Sequence, residues 1–325
     1  MKKVLGIGNA LVDIMTRLES DQLLNHFNLK KGSMQLVDAD LSGRINSQTI
    51  ALKKEISSGG SAANTIHGLA NMGVETSFIG KTGQDDFGRF FADDMRKNGI
   101  RPILFQGKSE TGCAIVFISP DSERTFATYL GSAIELSADD LHPDIFAGYD
   151  FLHIEGYLVQ NRKLIQKAVQ LAHENGLMVS LDLASYNVVE QNIEFLDAII
   201  NKYVNIIFAN EEEARAFTGN APEEAIHLLA NMCDIAIVKT GASGSLVKQN
   251  DELYTIQPVT ANSIDTTGAG DLYASGFIYG LTKQLPPDNC GAIGSLLAGK
   301  VIELIGAKLN NAAWQKVHNS IKNAR

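Results

Sequence analysis

The sequence predicts an α/β protein: a doubly wound, mostly parallel sheet with helices on both faces, plus a small β-sheet lid. Three observations carry that prediction. Through most of the 325 residues, apolar runs of strand length alternate with helix-like segments, as in a parallel sheet covered on both faces. Two strand-rich stretches, about residues 12–57 and 102–131, interrupt that rhythm. From Gly270 onward helical patterning dominates.

Taken in order, Val4 to Gly8 reads as the opening strand. From Thr16 to Ile56 the pattern is irregular, with a short helical stretch at Asp21 to Phe27 and strand-like runs at Met34 to Val37 and Ile50 to Ile56. A helix over Ser61 to Met72, a strand over Thr76 to Gly80 and a helix over Asp86 to Asn98 follow. Cys113 to Ser119 and Thr125 to Leu130 flank Pro120-Asp121-Ser122-Glu123, whose residues favour a hairpin turn. After Leu136 the strand–helix rhythm returns. Strand Phe151 to Ile154 leads to helix Asn161 to Asn175, which Gly176 stops. Strands Met178 to Leu183, Ile206 to Ala209 and Ile235 to Val238 then alternate with helices Ile193 to Lys202 and Pro222 to Met232. The expected domains are therefore discontinuous. Residues 1–11, 58–101 and 132–325 form the large α/β unit, and residues 12–57 and 102–131 the lid. Ligands of open α/β sheets bind beyond the carboxyl ends of the strands, where such an appendage would cover them.

Composition narrows the function classes. The net charge of −9 and pI near 5.3 argue against nucleic acid as a partner. Cys113, Cys233 and Cys290 are widely spaced with no CxxC pair, which argues against a disulfide frame or a thiolate zinc site and fits a reducing compartment. The basic start Met1-Lys2-Lys3 leads an apolar run that Gly8, Asn9 and Asp13 break, too short for a signal peptide. No run is long enough to span a bilayer. A cytoplasmic protein with no membrane partner is expected.

The strongest chemical signal is Asp265-Thr266-Thr267-Gly268-Ala269-Gly270-Asp271. Apolar residues at Leu272, Phe277, Ile278 and Leu281 place a helix directly after it. Gly268, Ala269 and Gly270 would then present backbone N–H groups at a helix N-terminus, where unpaired amides and the positive dipole end receive phosphate oxygens. Asp271 at the same helix start is suited to take a proton from an attacking hydroxyl. A plain helix cap with a glycine-rich approach is the competing reading. Gly6-x-Gly8 lacks the third glycine of a dinucleotide fingerprint, since Leu11 stands there, and a nicotinamide-dependent enzyme is rejected.

With these residues stated, the chain resembles a family. Asp265 to Asp271 followed by Gly276-Phe277 is similar to the C-terminal signature of the ribokinase-like (PfkB) carbohydrate and nucleoside kinases. Ser58-Gly59-Gly60-Ser61-Ala62-Ala63-Asn64, continuing to Gly73, is similar to the N-terminal signature. The resemblance runs from Gly6 to about Gly306 and implies the fold predicted above. It also implies an ATP-dependent kinase, with Mg²⁺ as cofactor and a small-molecule acceptor as partner.

Residue by residue, the resemblance implies that Asp13, Gly60 and Asn64 hold vicinal sugar hydroxyls. A turn residue for Asp13 and a helix-surface amide for Asn64 are the alternatives. It implies that Asn210 and Glu213, in Asn210-Glu211-Glu212-Glu213 after an apolar strand, serve a magnesium–phosphate network; a helix cap with an acidic first turn is the alternative. Thr240, Gly241 and Gly244 resemble the nucleotide-contacting loop, against a plain turn between strands. Arg124 resembles the arginine that reaches over the transferred phosphate, against a surface arginine. Gly299 stands in the region beside the adenine, where the family commonly has asparagine. Some members bind a monovalent cation (K⁺) near the positions of Asp265 and Thr267, which stays open here.

Within the family, Gly8 to Asp13, Tyr129 to Ala133, Ile154 to Tyr157 and Phe208 to Glu211 look most like the adenosine-kinase-type branch. Gln35, in the lid stretch Met34-Gln35-Leu36, offers an amide to a purine edge, or is an ordinary lid residue. Phosphorylation of adenosine to AMP is the first expectation. A sugar such as ribose or fructose is the second, and a silent ligand-binding protein on the same fold the alternative of another class. Monomer and homodimer both remain open.

Overall fold

The computed structural model describes residues 2–121 and 123–323. Met1, in the basic start, and Ser122, in the expected hairpin turn, lie outside the described residues. The first half runs β1 (Lys3–Ile7), β2 (Leu11–Arg17), α1 (Gln22–His26), β3 (Met34–Leu36), α2 (Ala39–Gln48), β4 (Lys54–Gly59), α3 (Ser61–Asn71), β5 (Glu75–Thr82), α4 (Asp86–Lys97), β6 (Ile100–Gln106), β7 (Thr111–Ile118) and β8 (Arg124–Gly131). Then follow β9 (Phe151–Glu155), α5 (Arg162–Glu174), β10 (Met178–Asp182), α6 (Tyr186–Tyr203), β11 (Ile206–Asn210), α7 (Glu211–Thr218), α8 (Pro222–Ala230) and β12 (Ile235–Lys239). The chain closes with β13 (Ser245–Gln249), β14 (Glu252–Ile256), α9 (Ala269–Thr282), α10 (Pro287–Val301) and α11 (Asn311–Asn323).

The large sheet has the order β14-β13-β12-β11-β10-β9-β1-β5-β6. It is parallel except for the hairpin β13–β14 and its pairing with β12. Alternate residues of each strand enter cores on opposite faces. Val4, Phe78, Phe151 and Phe208 pack with the apolar sides of α3, α9 and α10. Leu5, Ile79, Leu152 and Ile207 pack with those of α5, α6 and α8. Strands buried on both faces read as continuous apolar runs, which is why the sequence marks them so clearly.

The second sheet has the order β3-β8-β7-β2-β4. Ile14, Ile115 and Phe117 pack against Leu24 of α1 and Ile45 of α2. Leu11, Asp13, Ala114, Phe126 and Thr128 face the opposite way, into a cleft over the large sheet.

Two local expectations change, and one element is new. Pro102 to Gln106, assigned from sequence to the lid, lie in β6, which pairs in parallel with β5 at the margin of the large sheet. An edge strand tolerates Pro102 because its missing N–H falls where no ladder partner needs it. Residues 39–48, read as irregular, form α2. Asp38 caps it by accepting from the Leu41 N–H at 2.8 Å, and Ile45 is buried beneath the lid sheet. The hairpin β13–β14 extends the sheet where the sequence offered no prediction. Among the described residues no helix is long and apolar enough to cross a membrane.

Candidate functional site

The chain moves outward from β1 to β5 and β6, then returns to lay β9 on the other side of β1. The crevice at such a switch point is where open α/β sheets bind ligands. Here the carboxyl strand ends and the lid's inner face enclose a cleft of about 1830 Å³. A single small-molecule site usually occupies roughly 300–1000 Å³, so the cleft has room for a donor and an acceptor together.

One half of the cleft is built at the start of α9. Gly268 has φ +77°, and a Cβ there would come 2.5 Å from the Ala307 Cβ, so only glycine fits. Asp265 shapes the loop. Its Oδ1 accepts from the Thr267 N–H at 3.0 Å and its Oδ2 from the Gly306 N–H at 2.7 Å. The Ala269 N–H is taken by the Thr266 carbonyl at 3.2 Å, and the Leu272 N–H by the Gly268 carbonyl at 2.9 Å. Helix geometry leaves the N–H groups of Gly270 and Asp271 without an intrahelical acceptor, and both residues line the cleft. The expected row of three amides is thus altered at Ala269, whose N–H closes the turn.

Asp271 is held from the opposite helix. Ser61 donates its hydroxyl to Oδ1 at 2.7 Å and Asn64 its amide to Oδ2 at 2.9 Å. Burial pushes the Asp271 carboxyl up to about 6, although both hydrogen bonds favour the charged form.

The other half gathers Asp13, Gly60 and Asn64, all lining the cleft. Gly60 has φ +97°, and any Cβ on it would strike the Asn9 carbonyl. Gly59 is glycine for a different reason: a Cβ there would enter the Asp13 carboxylate. Burial pushes the Asp13 carboxyl up to about 7; Lys308 acts against this and Asp271 adds to it. Lys308 itself pairs with Asp94 at 2.9 Å and donates to Ser58 Oγ at 2.6 Å. Asn64 Oδ1 is buried with no partner among the described residues, an acceptor waiting for a donor.

Beneath both halves runs a row of polar strand ends: Glu155 of β9, Asp182 of β10, Asn210 of β11 and Lys239 of β12. The buried Glu155 accepts from the Asn9 N–H at 2.8 Å, the Asn9 amide at 2.6 Å and the Ala62 N–H at 2.9 Å. It thereby fixes the β1–β2 junction and the start of α3. Lys239 Nζ pairs with Asp182 Oδ2 at 2.9 Å. Asn210 and Glu213 form a reciprocal cap on α7: the Glu213 N–H donates to Asn210 Oδ1, and the Asn210 N–H to Glu213 Oε2, each at 2.8 Å. Burial, with the Asp182 charge, pushes the Glu213 carboxyl up to about 7.

Most of the sequence-predicted residues converge. Asp13, Gly60, Asn64, Asn210, Glu213, Gly241, Gly244, Thr267, Ala269, Gly270, Asp271 and Gly299 all line the one cleft. Gly268 shapes the loop behind it. Thr240 turns into its own loop, where its N–H donates to the Gly244 carbonyl at 2.9 Å. Arg124, not a surface arginine, pairs with Asp265 at 2.7 Å and donates to Thr267 Oγ1 at 3.4 Å. Gln35 is the correction: its Oε1 accepts from the Lys30 N–H at 3.2 Å in a small recess on the far side of β3, while Met34 and Leu36 line the cleft. Strand alternation puts the middle residue on the opposite face from its neighbours. Glu155, Asp182 and Lys239 were not singled out as site residues. The signal that marks them is a lone polar residue ending an apolar strand, as Asn210 does.

The residues present suit Mg²⁺ in part. Asp182, Glu213 and Asp271 bring three carboxylates to a region with one buried cation, Lys239. Mg²⁺ commonly takes one or two carboxylates along with waters and phosphate oxygens. No group of three or more metal-binding side chains occurs among the described residues. The Asp265 carboxylate, beside which the sequence leaves a monovalent cation open, accepts from Thr267 on Oδ1 and from Gly306 and Arg124 on Oδ2.

The sequence pattern of the pfkB family carbohydrate kinases matches residues 33–314. The chain belongs to that family. Two solved structures share the fold over 98% of this chain at 32% identity. A probable sugar kinase from Rhizobium etli has a TM-score of 0.88 with 98% of its chain covered, and the adenosine kinase from Sinorhizobium meliloti 0.87 with 99% covered. Among curated sequences, the 5-dehydro-2-deoxygluconokinase of Bacillus subtilis is 28% identical over 271 residues, 78% of this chain and 83% of that protein. This pfkB family kinase is a phosphotransferase of the sugar and nucleoside kinase class. Kinases of the family generally use ATP and Mg²⁺.

Proposed function

We propose that this kinase phosphorylates the primary hydroxyl of a ribonucleoside, adenosine foremost, yielding AMP. The observation that carries this reading is the lid's inner wall. Leu11, Met34, Leu36, Phe126, Leu130 and Ile134 line the cleft on the side of Asp13 and Asn64. Met34, Leu36 and Ile134 are 52, 63 and 64% exposed. A flat apolar base would cover such a wall, whereas a sugar alone would leave it wet. The structural likeness to the Sinorhizobium meliloti adenosine kinase supports the same reading.

In the mechanism, the Asp13 carboxylate accepts from ribose hydroxyls, Asn64 Oδ1 takes a further hydroxyl, and Gly60 lets the sugar approach the backbone. The reacting hydroxyl then lies toward Asp271, which takes its proton as phosphorus–oxygen bonding begins. The N–H groups of Gly270 and Asp271 and the dipole of α9 stabilise charge on the transferred group. Gly241, Gly244, Thr267 and Gly299 border the nucleotide, and Arg124 stands at the loop from the lid side. When bound, Mg²⁺ would neutralise phosphate charge, held through Asn210, Glu213 and their waters.

A sugar acceptor is the second reading, favoured by the Bacillus subtilis relative and by Arg162 and Lys163 at the cleft margin, which suit an acidic sugar. A screen of nucleosides and sugars with Mg·ATP, reading ADP formation, separates the two. Turnover of adenosine with kcat/KM well above that of every sugar is expected. Turnover of sugars without nucleosides removes the adenosine assignment and leaves the kinase intact.

A further inference from the structure

The row of strand ends contains a buried cation that the mechanism above does not use. Lys239 is the last residue of β12, in register with Asn210 of β11. Its side chain is 15% exposed and lines the cleft beside Asp182, Glu213 and Asp271. Among the described residues its ammonium makes one hydrogen bond, to Asp182 Oδ2, out of three it can donate. Asp182 is itself fixed, since its Oδ1 accepts from the N–H of Ala184 at 3.0 Å. Ala184 sits at φ +64°, a costly conformation for a residue with a Cβ, so this anchor is built at some expense.

The second observation concerns Gly270. A Cβ on that residue would lie 3.1 Å from Lys239 Nζ. The ammonium therefore sits against the bare backbone in the first turn of α9, where unpaired N–H groups already gather positive potential. A buried ion pair is weak evidence for stability, because desolvating both charges offsets most of their attraction. Its place beneath a phosphate-binding helix start asks for another purpose.

We propose that Lys239, anchored by Asp182, contacts the terminal phosphoryl group of the nucleotide and follows it during transfer. The bond from the terminal phosphorus to the bridging oxygen breaks, and its electron pair leaves with ADP. A bond forms from the same phosphorus to the acceptor oxygen, whose proton goes to Asp271. Lys239 exchanges no proton: as a point charge beside Gly270 it complements the amides where negative charge concentrates. Asp182 positions Lys239 and does not touch the phosphate.

The inference rests on the kinase using ATP but not on the identity of the acceptor. Its test therefore begins with nucleotide binding, which needs no acceptor and survives failure of the adenosine reading. Calorimetric titration of Lys239→Met is expected to show ATP bound more weakly by about tenfold or more while ADP changes less than about threefold, as befits loss of a charged hydrogen bond to the terminal phosphate. With any acceptor that is turned over, kcat is expected to fall about 100-fold or more, and Lys239→Arg to recover part of it. Lys239→Met leaves Asp182 unpaired, so the double variant Asp182→Asn/Lys239→Met serves as the folding control. It is expected to regain the parent thermal midpoint while keeping the low kcat. Equal weakening of ATP and ADP overturns the proposal. So does a double variant whose kcat lies within about threefold of the parent, since Lys239 would then be only the counter-ion of Asp182.

Discussion

Asn64 donates its side-chain amide to Asp271 Oδ2 at 2.9 Å, joining residues 207 positions apart. With Ser61 on the other oxygen, the contact fixes the carboxylate in one orientation. It also leaves Asn64 Oδ1 without a partner among the described residues, so the group proposed to bind the acceptor and the group proposed to take its proton are aligned by one amide.

Replacing Asp271 by Asn keeps the shape and removes the base. Turnover should fall about 1000-fold or more, within the usual worth of a positioned general base, while acceptor affinity and thermal midpoint stay close to the parent's. Steady-state kinetics with calorimetric binding checks this. A near-normal kcat would remove Asp271 from the proposed role.

Acidity should act twice, with the same sign. Asp271 must be ionised to take a proton, and its carboxyl is pushed up to about 6. Asp13 must be ionised to accept from two hydroxyls, and its carboxyl is pushed up to about 7. As pH falls, each group is lost on passing below its own value. Acceptor KM should therefore begin to rise near pH 7, and kcat should fall about tenfold per pH unit below 6. A flat kcat between pH 8 and 5 contradicts this assignment.

Truncating Glu155 to Ala would strand the Asn9 N–H, the Asn9 amide and the Ala62 N–H at the buried floor of the cleft. A loss of about 3 kcal/mol is expected, since each unsatisfied buried donor costs roughly 1–3 kcal/mol. Acceptor KM should rise more than nucleotide KM, because the groups set free hold the start of α3. Chemical denaturation and a comparison of the two KM values read these effects separately.

Arg124→Ala should cost both stability and rate. Asp265 would lose its ion-pair partner while remaining buried, and breaking such a pair typically costs about 3–5 kcal/mol. Both side chains are nearly buried, 9% and 3% exposed, so the expected loss falls within that range. Arg124→Lys should restore part of the stability and little of the rate: Nη1 alone meets both Asp265 and Thr267, as an ammonium could, but only the guanidinium keeps further N–H groups for the transferred phosphate.

Leu36 tests the lid wall. It is 63% exposed, so Leu36→Asp should change stability by less than about 0.5 kcal/mol. A base resting on the wall would lose apolar contact and meet a charge, raising nucleoside KM about tenfold or more. Sugar KM should stay unchanged. Equal effects on both acceptors would take the base away from β3.

Several features of the site were plain in the sequence for physical reasons. The glycines at 59, 60, 268 and 270 are positions where backbone must meet a neighbour or a ligand, and runs of such residues are rare enough to notice. Strands of the large sheet were legible because burial on both faces leaves few polar residues, such as His153 and Ser180, before the strand ends. Gln35 was misjudged because β3 has three residues, and nothing in so short a run reveals which side faces the cleft. Asp182 carries no motif, Glu155 stands in a stretch that shows only a branch resemblance, and Lys239 only opens the loop of Thr240 and Gly241. Each is a single polar residue whose meaning comes from standing beside another strand's end, and strand order is not written in local sequence. The helix α2 was hidden by a mixed pattern in which Ile45 supplies most of the buried surface.

The Asn64–Asp271 contact also has a temporal meaning. At roughly 5–20 residues per second of synthesis, the ribosome delivers Asp271 some 10–40 s after Asn64. Through that interval a nascent chain holds Asp13, Gly60 and Asn64 but lacks α9, which α3 meets through Ser61, Asn64, Thr65 and Gly68. Under the proposed mechanism such a chain has no base, and the α3 face that α9 will cover stays bare. The kinase begins its working life only when its last third folds back onto its first.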